Sequence, residues 1–247
     1  MHALLDLIGR WLSSRCAVGQ PRRAMRLNGF DFAGSSRPRY LRGGDYHDIF
    51  VPPDRASMAV AVGDVAGHDA LAAHLMRLAG ALLKRRQAVP GELAELMEGV
   101  NRELMPRMRA GRFMTLFLAV MVAGDRSIHW VSAGHGPVLA YDPEADSFAE
   151  VPGQDIPLGI DPDWRYHEMD HVGWSAGALL VVATDGIWEQ RNKQGEMYGR
   201  KRLMRAVRTM REAPAAAIVA AVEADVDAFR QGVPPGDDAT LVVVKAI

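Results

Sequence analysis

The chain has 247 residues, of which 49% are hydrophobic and 24% charged, and its formal net charge is -1. This length fits one large domain or two small ones, and the composition is that of a globular protein with a full core. The balanced charge gives no signal for binding a polyanion, so we expect no nucleic-acid partner.

The N-terminal segment, residues 1–15, predicts a short amphipathic helix, because its apolar residues share one helical face: Leu4, Leu5, Ile8, Trp11 and Leu12. It lacks a basic leading region and a cleavage site, so we do not interpret it as a signal peptide. Few cations lie on its polar face, which favours packing on the domain or a homodimer contact over membrane binding. The single cysteine, Cys16, is typical of a protein in the reducing cytoplasm.

A loose basic segment, GQPRRAMR, follows this helix and predicts a linker. We therefore divide the chain into an N-terminal helix and linker, residues 1–26, and one domain, residues 27–247. No apolar run in the sequence approaches the roughly 20 residues that are needed to span a bilayer.

Strand and helix patterns alternate within the domain. An apolar strand is expected at 58–63, and apolar residues at helical spacing predict helices at 70–86 and after Pro90. Further patterns predict strands at 115–123, 127–133, 137–141, 164–171, 178–183 and 240–245, and helices at 200–210 and 214–230. Successive strand hairpins favour antiparallel pairing, and helices gathered in two batches favour layers outside the sheets. The fold class is therefore α+β, with helices on both sides of the sheets.

Four aspartates lie beside glycine or at the end of an apolar run: Asp45 in GGDYHD, Asp64 in VGDVAGH, Asp185 in VATDG and Asp237 in GDDAT. Any one of these motifs alone is most often a surface turn. A carboxylate at the end of a buried strand, however, is costly unless it is paired or bound to a cation. Four such motifs favour a metal centre, and ligands that are all oxygen indicate Mg²⁺ or Mn²⁺ rather than zinc.

Four carboxylates are enough to hold two ions, an arrangement that is used for phosphoryl hydrolysis. Two ions would lower the pKa of a bridging water, yield a hydroxide near neutral pH and clamp the phosphoryl oxygens. Direct attack by that hydroxide needs no covalent enzyme intermediate. The sequence contains no nucleophile elbow, no Walker loop and no cysteine-phosphatase signature. It therefore predicts a metal-dependent phosphatase.

Two histidines are candidate general acids for the leaving oxygen. His68 and His135 both lie in glycine-bracketed motifs, GHD and AGHGP. A structural hydrogen-bonding role in a tight turn is an equally good interpretation of each. His68 and Asp69 together also occur in histidine–aspartate phosphohydrolases, but that class needs further helical histidines, and the strand-rich pattern argues against it.

Eight segments occur in a consistent order between about residues 27 and 245: GGDYHDIF (43–50), VGDVAGHDALAAHLM (62–76), FMTLFLAV (113–120), VSAGHGPVL (131–139), IPLGI (156–160), LLVVATDGIWEQRN (179–192), YGRKRL (198–203) and DDATLVVV (237–244). Together they resemble the PPM-type (type 2C) protein serine/threonine phosphatases. The resemblance is closest to the bacterial branch named for stage II sporulation protein E.

The resemblance implies an α-β-β-α sandwich of two mainly antiparallel sheets with a two-metal site at one end. It implies that Asp64 bridges both ions and that Asp45 and the Val65 carbonyl serve one of them. Asp185 and Asp237 would serve the other, with the adjacent Asp238 as the alternative to Asp237. The branch dephosphorylates phosphoserine or phosphothreonine on anti-sigma-factor antagonists, which implies a phosphoprotein substrate in a partner-switching pathway.

Three positions depart from the family pattern. Asp69 stands where the family usually has glycine, Ala66 where it has serine, and His47 where it has a second tyrosine. None of these changes removes a metal ligand, and Asp69 adds a negative charge near the site. Two alternative functions stay open: a catalytically weak pseudophosphatase that acts as a signalling binding module, which the intact aspartates disfavour, and a hydrolase of small phosphate esters.

Overall fold

The computed structural model describes residues 23–27, 29–39, 43–51, 57–67, 69–86, 88–108 and 111–247. The predictions for the N-terminal helix, for Cys16 and for His68 lie outside these residues. No helix within the described ranges is long and apolar enough to cross a membrane.

The described residues form twelve strands, five α-helices and one short 3₁₀ helix. In chain order these are β1 (Arg23–Leu27), β2 (Phe30–Arg37), β3 (Asp45–Phe50), β4 (Ser57–Val65), α1 (Ala70–Arg86), α2 (Leu93–Leu104), the 3₁₀ helix (Met105–Arg107), β5 (Met114–Val122), β6 (Ser127–Ala133), β7 (Val138–Asp142), β8 (Ser147–Glu150), β9 (Gln154–Asp155), β10 (Met169–His171), β11 (Leu179–Ala183), α3 (Asp185–Trp188), α4 (Gly199–Thr209), α5 (Ala215–Arg230) and β12 (Ala239–Ala246).

The strands form two sheets. Sheet A has the order β1-β2-β12-β11-β7-β8, and all its neighbouring strands are antiparallel. Sheet B has the order β10-β6-β5-β4-β3, also antiparallel, and β9 pairs with β6 in parallel. The prediction of two mainly antiparallel sheets is confirmed.

Three apolar clusters hold the layers together. The inner faces of the two sheets meet in a core that includes Phe117, Leu180 and Val242. Helices α1 and α2 cover the outer face of sheet B, and α3, α4 and α5 cover the outer face of sheet A. Because the central strands are buried on both faces, their sequences are continuous apolar runs rather than alternating ones. The α-β-β-α sandwich is therefore confirmed.

Two details differ from the sequence predictions. Strand β1 begins at Arg23, so residues 23–27 belong to sheet A and not to the linker expected before residue 27. The strand predicted at 164–171 is wrong for most of its length, since only Met169–His171 pair with β6. The preceding residues are instead tied to the Asp155 carboxylate, which accepts bonds from Trp164 Nε1 (3.2 Å) and from the His167 amide (2.8 Å).

Candidate metal-binding active site

The four predicted aspartates lie at the same end of the sandwich, two on each sheet. Asp45 is the first residue of β3, and its cross-strand partner is Asp64 near the end of β4. On sheet A, Asp185 directly follows Thr184 at the end of β11, and Asp237 lies two residues before β12. Because β11 and β12 are neighbouring antiparallel strands, the end of one lies beside the start of the other.

Thr184 connects the two sheets at this end. Its hydroxyl donates a 2.7 Å hydrogen bond to Asp45 Oδ2 and accepts one of 2.9 Å from the Thr240 amide. The Thr184 amide also donates to the Thr240 carbonyl at 3.0 Å. This threonine was not predicted from the sequence, and its position directly before Asp185 is the one signal that could have indicated it.

The carboxylates are close enough to repel one another. Burial, followed by repulsion from Asp185 and Asp237, raises the pKa of Asp64 to about 7. Burial, and then the charge of Asp64, raises the pKa of Asp45 well above its usual range. Burial and the charge of Asp237 also raise the pKa of Asp185. Buried carboxylates that repel one another destabilise a fold unless a cation balances them.

Gly44, directly before β3, allows the backbone there to approach the end of β4 closely. A Cβ at this position would lie 2.8 Å from both the Val65 and the Gly67 carbonyl oxygens and 3.1 Å from Asp64 Oδ1. The Val65 amide also donates to the Gly44 carbonyl at 3.2 Å. Any side chain in place of Gly44 would therefore enter the space beside the Val65 carbonyl and the Asp64 carboxylate, which are two of the predicted metal ligands.

The adjacent carboxylates Asp237 and Asp238 have different surroundings. Asp238 is 4% exposed, and its two oxygens accept hydrogen bonds from the Arg39 and Gly44 amides, each at 2.6 Å. Asp237 is exposed, and its Oδ1 accepts a 2.8 Å bond from the Asp238 amide. Both oxygens of Asp238 are thus engaged in holding the loop before β3. This geometry favours Asp237 as the metal ligand of the pair.

Asp69, the main departure from the family pattern, stabilises the loop that follows Asp64. Its Oδ1 accepts a 2.9 Å bond from the Ala72 amide, which caps the N-terminus of α1. Its two oxygens also bind the Arg112 guanidinium at 3.1 and 3.0 Å, and Arg112 donates to the Ala66 carbonyl at 3.0 Å. The Ala72 amide and then the Arg112 guanidinium lower the pKa of Asp69. The negative charge that Asp69 adds is therefore paired with Arg112, a residue that was not predicted from the sequence.

His135 is buried. Its Nδ1 lies 2.9 Å from Thr115 Oγ1, and among the described residues its buried Nε2 has no partner with good hydrogen-bond geometry. Burial lowers the pKa of His135 to about 4, although an interaction with the Ala183 backbone opposes this, so the imidazole is neutral at pH 7. A buried neutral imidazole is poorly placed to protonate a leaving group. The geometry favours a structural role, and the catalytic role of His135 stays a prediction.

The donor set fits divalent cations in its chemistry. The candidate ligands are all oxygens, and they converge from four segments of the chain with unbalanced negative charge. As the side chains stand, no three His, Cys, Asp or Glu residues in the described part of the chain are grouped closely enough to hold one ion. Binding an ion would therefore require these carboxylates to rotate towards it.

Comparison with known proteins establishes the family. The family model for stage II sporulation protein E (SpoIIE) matches residues 54–247. The chain belongs to this family of PP2C-type phosphatase domains. A curated relative, the phosphoserine phosphatase RsbU of Bacillus subtilis (strain 168), is 27% identical over 166 residues. The match covers 67% of this chain and 48% of RsbU, so this chain spans about half the length of that relative.

Solved structures show the same fold. The SiaA-PP2C domain of Pseudomonas aeruginosa superposes with a TM-score of 0.74 at 18% identity, over 100% of both chains. RsbX, in a structure with magnesium, superposes with a TM-score of 0.66 at 13% identity, over 92% of this chain and 100% of RsbX. At these identities the likeness establishes the PP2C fold of this SpoIIE-family chain.

Proposed function

We propose that this SpoIIE-family chain is a metal-dependent protein serine/threonine phosphatase that hydrolyses phosphoserine or phosphothreonine on a signalling protein. The observation that carries the proposal is the convergence of Asp45, Asp64, Asp185 and Asp237 at one end of the sandwich, where their charges are unbalanced. The similarity to RsbU, a phosphoserine phosphatase, supports the same class of reaction.

In this proposal, Asp45, Asp64, Asp185, Asp237 and the Val65 carbonyl would hold two divalent cations, Mn²⁺ or Mg²⁺. Bound cations would supply an activated water as nucleophile and would balance the charge that develops on the phosphoryl group.

The neighbouring residues position these ligands. Thr184 fixes one oxygen of Asp45 by donating a hydrogen bond to it. Asp238 fixes the Gly44 amide and thereby the loop that leads into Asp45. Arg112 and Asp69 fix the loop that follows Asp64 and Val65. A site assembled from four distant segments needs such supports, because a displacement of about 1 Å is enough to impair catalysis.

We further propose that the substrate is a phosphorylated anti-sigma-factor antagonist of a partner-switching pathway in the cytoplasm. The resemblance to the SpoIIE branch and the similarity to RsbU support this substrate class over small phosphate esters. A panel that contains a phosphoserine antagonist protein, phosphopeptides and nucleotides would distinguish the two classes by kcat/KM.

The activity test compares hydrolysis of p-nitrophenyl phosphate and of a phosphoserine antagonist protein in EDTA, Mg²⁺ and Mn²⁺. We expect metal-dependent turnover that falls by roughly 100-fold or more in Asp64→Asn and in Asp185→Asn. Asp163→Asn, which changes an exposed aspartate elsewhere, is the matched control and should retain full activity.

Turnover that survives both EDTA and the two ligand variants would refute the proposal. No metal binding by calorimetry, together with no turnover on either substrate, would instead favour the pseudophosphatase binding module, whereas metal binding without turnover would indicate a missing activator. Turnover of nucleotides in preference to the phosphoprotein would favour the hydrolase of small phosphate esters.

A further inference from the structure

A cavity of about 480 Å³ opens between the two sheets, at the edge formed by β7 and β8 of sheet A and by β6 and β10 of sheet B. Strands β8 and β10 are the last strands of their sheets, so the cavity lies where the sandwich is open on one side. None of the metal-site aspartates lines it. Its volume lies within the range of about 300–1,000 Å³ that is typical of small-molecule sites.

The inner wall of the cavity is apolar and aromatic. It is lined by Phe117 and Leu180 of the inter-sheet core and by two indole rings, Trp130 and Trp174. Trp130 Nε1 donates a 2.9 Å bond to the Pro152 carbonyl, which fixes this ring in the wall. The Trp174 amide donates to the Arg126 carbonyl at 3.1 Å, which holds the second tryptophan in place. The wall is therefore built from residues that core packing and hydrogen bonds already hold.

The rim of the cavity is acidic. Four carboxylates line it, Asp142, Glu144, Glu150 and Asp170, and no lysine or arginine belongs to the described lining. Among the described residues, one of the four makes a salt bridge, Glu150 with Arg200 at 3.0 Å. Asp142 Oδ1 instead accepts bonds from the Glu144 and Ala145 amides. The mouth of an apolar cavity thus has an excess of negative charge.

We propose that this cavity binds a small amphipathic cation, with a flat apolar body against Trp130 and Trp174 and an ammonium or guanidinium group at the acidic rim. Indole faces attract both flat apolar groups and cations. Carboxylates at the mouth favour a cation and repel an anion of the same shape. The site is separate from the metal centre, so its occupation does not depend on the proposed phosphatase activity.

The test uses the full chain in EDTA and two probes with the same indole body, tryptamine as the cation and indole-3-propionate as the anion. Calorimetry gives the affinities, and ¹H–¹⁵N spectra follow the indole N–H signals, assigned with Trp130→Phe and Trp174→Phe. We expect saturable binding of tryptamine that shifts these two signals. We expect indole-3-propionate to bind roughly tenfold more weakly or not at all.

Substitutions at the rim test whether its negative charge contributes to tryptamine binding, and they leave the apolar wall of the cavity unchanged. Glu144→Gln and Asp170→Asn should each weaken tryptamine binding roughly threefold, while Glu95→Gln, an exposed acid on α2, should leave it unchanged. Any one of four results would overturn the proposal. These are equal affinities for the two probes, unchanged tryptamine affinity in both rim variants, shifts confined to the indole signals of other tryptophans, and no binding at about 10 mM tryptamine. Because every measurement is made without metal, failure here would be distinct from failure of the phosphatase proposal.

Discussion

Asp237 and Asp238 are adjacent, but the structure predicts that replacing each by asparagine has different effects. Asp238→Asn should mainly lower Tm, and Asp237→Asn should mainly lower the affinity for Mn²⁺. Asp238 accepts bonds from two backbone amides, of Arg39 and Gly44, at 2.6 Å each. Asparagine would keep one carbonyl oxygen and place an NH₂ group opposite the other amide, leaving a buried donor facing a donor. Asp237 is exposed, and asparagine would keep the oxygen that accepts from the Asp238 amide.

The size of the Asp238→Asn effect follows from these two bonds. A hydrogen bond to a charged acceptor contributes about 1.5–3 kcal/mol, and leaving a buried donor unsatisfied costs about 1–3 kcal/mol. Asp238→Asn loses one hydrogen bond to a charged acceptor and weakens the other, so its free energy of unfolding should fall by about 3 kcal/mol. For a chain of this size, 1 kcal/mol corresponds to about 2–4 °C, so Tm should fall by about 6–12 °C. Asp237→Asn should leave the Tm in EDTA unchanged or raise it, because it keeps its hydrogen bond to the Asp238 amide and, like Asp238→Asn, removes a charge that repels Asp64.

The assay combines calorimetric melting in EDTA with titration of Mn²⁺ into each variant at a temperature where both are folded. We expect Asp237→Asn to lose Mn²⁺ affinity by at least about tenfold with little change in Tm. Asp238→Asn should lose Tm, and its loss of Mn²⁺ affinity should be smaller than that of Asp237→Asn. If Asp237→Asn lowers Tm as much as Asp238→Asn does, or if Asp238→Asn alone abolishes Mn²⁺ binding, the assignment of the two roles is wrong.

Three further predictions test the site and its supports. In metal-free protein the folded-state pKa of Asp64, about 7, lies above its unfolded value of about 3.9, so its contribution to stability is present at acid pH and is lost as pH rises through 7. Asp64→Asn should therefore show a smaller fall in Tm between pH 5 and pH 8 than wild type, and an equal fall would contradict this. Leu75→Ala, in the buried face of α1, should cost roughly 2–5 kcal/mol in urea unfolding, whereas Leu75→Met should cost less than about 1.5 kcal/mol. Asp69→Gly removes both the cap on the Ala72 amide and the partner of Arg112, so its Tm should lie below that of Asp69→Asn, which keeps an acceptor for the cap; the reverse order would refute the capping role.

The elements that the sequence predicted well are those whose apolar residues follow a regular pattern. Helix α1 lies at Ala70–Arg86 and β6 at Ser127–Ala133, within the predicted bounds, because apolar spacing alone determines how they pack. Strand β2 was missed because FDFAGSSR contains buried polar residues. Their partners come from far along the chain: Ser35 Oγ donates to Glu223 Oε1 at 2.7 Å, and Asp31 accepts from the Ala215 amide at 2.9 Å. No local pattern could indicate that these groups would be satisfied.

In the candidate site too, the features set by local sequence were predictable and the contacts between distant segments were not. The local context of each aspartate, beside glycine or a strand end, was enough to select it. The supports were not predictable in this way, because Thr184 lies 139 positions from Asp45 and Asp238 lies 194 positions from Gly44. Contacts at such separations depend on which strands become neighbours, and sheet order is not visible in periodicity.

The electrostatic cost of the site is itself an argument for its role. Packing of the sandwich does not require Asp64, because the inter-sheet core is formed by apolar residues such as Val62 and Phe117. A neutral residue at position 64 would pair equally well with β3 and β5 and would remove the repulsion that, after burial, raises the pKa of Asp45. The fold therefore carries a destabilising group where a neutral one would suffice. Such costs concentrate at functional sites, and a divalent cation is the ligand that would turn this repulsion into attraction.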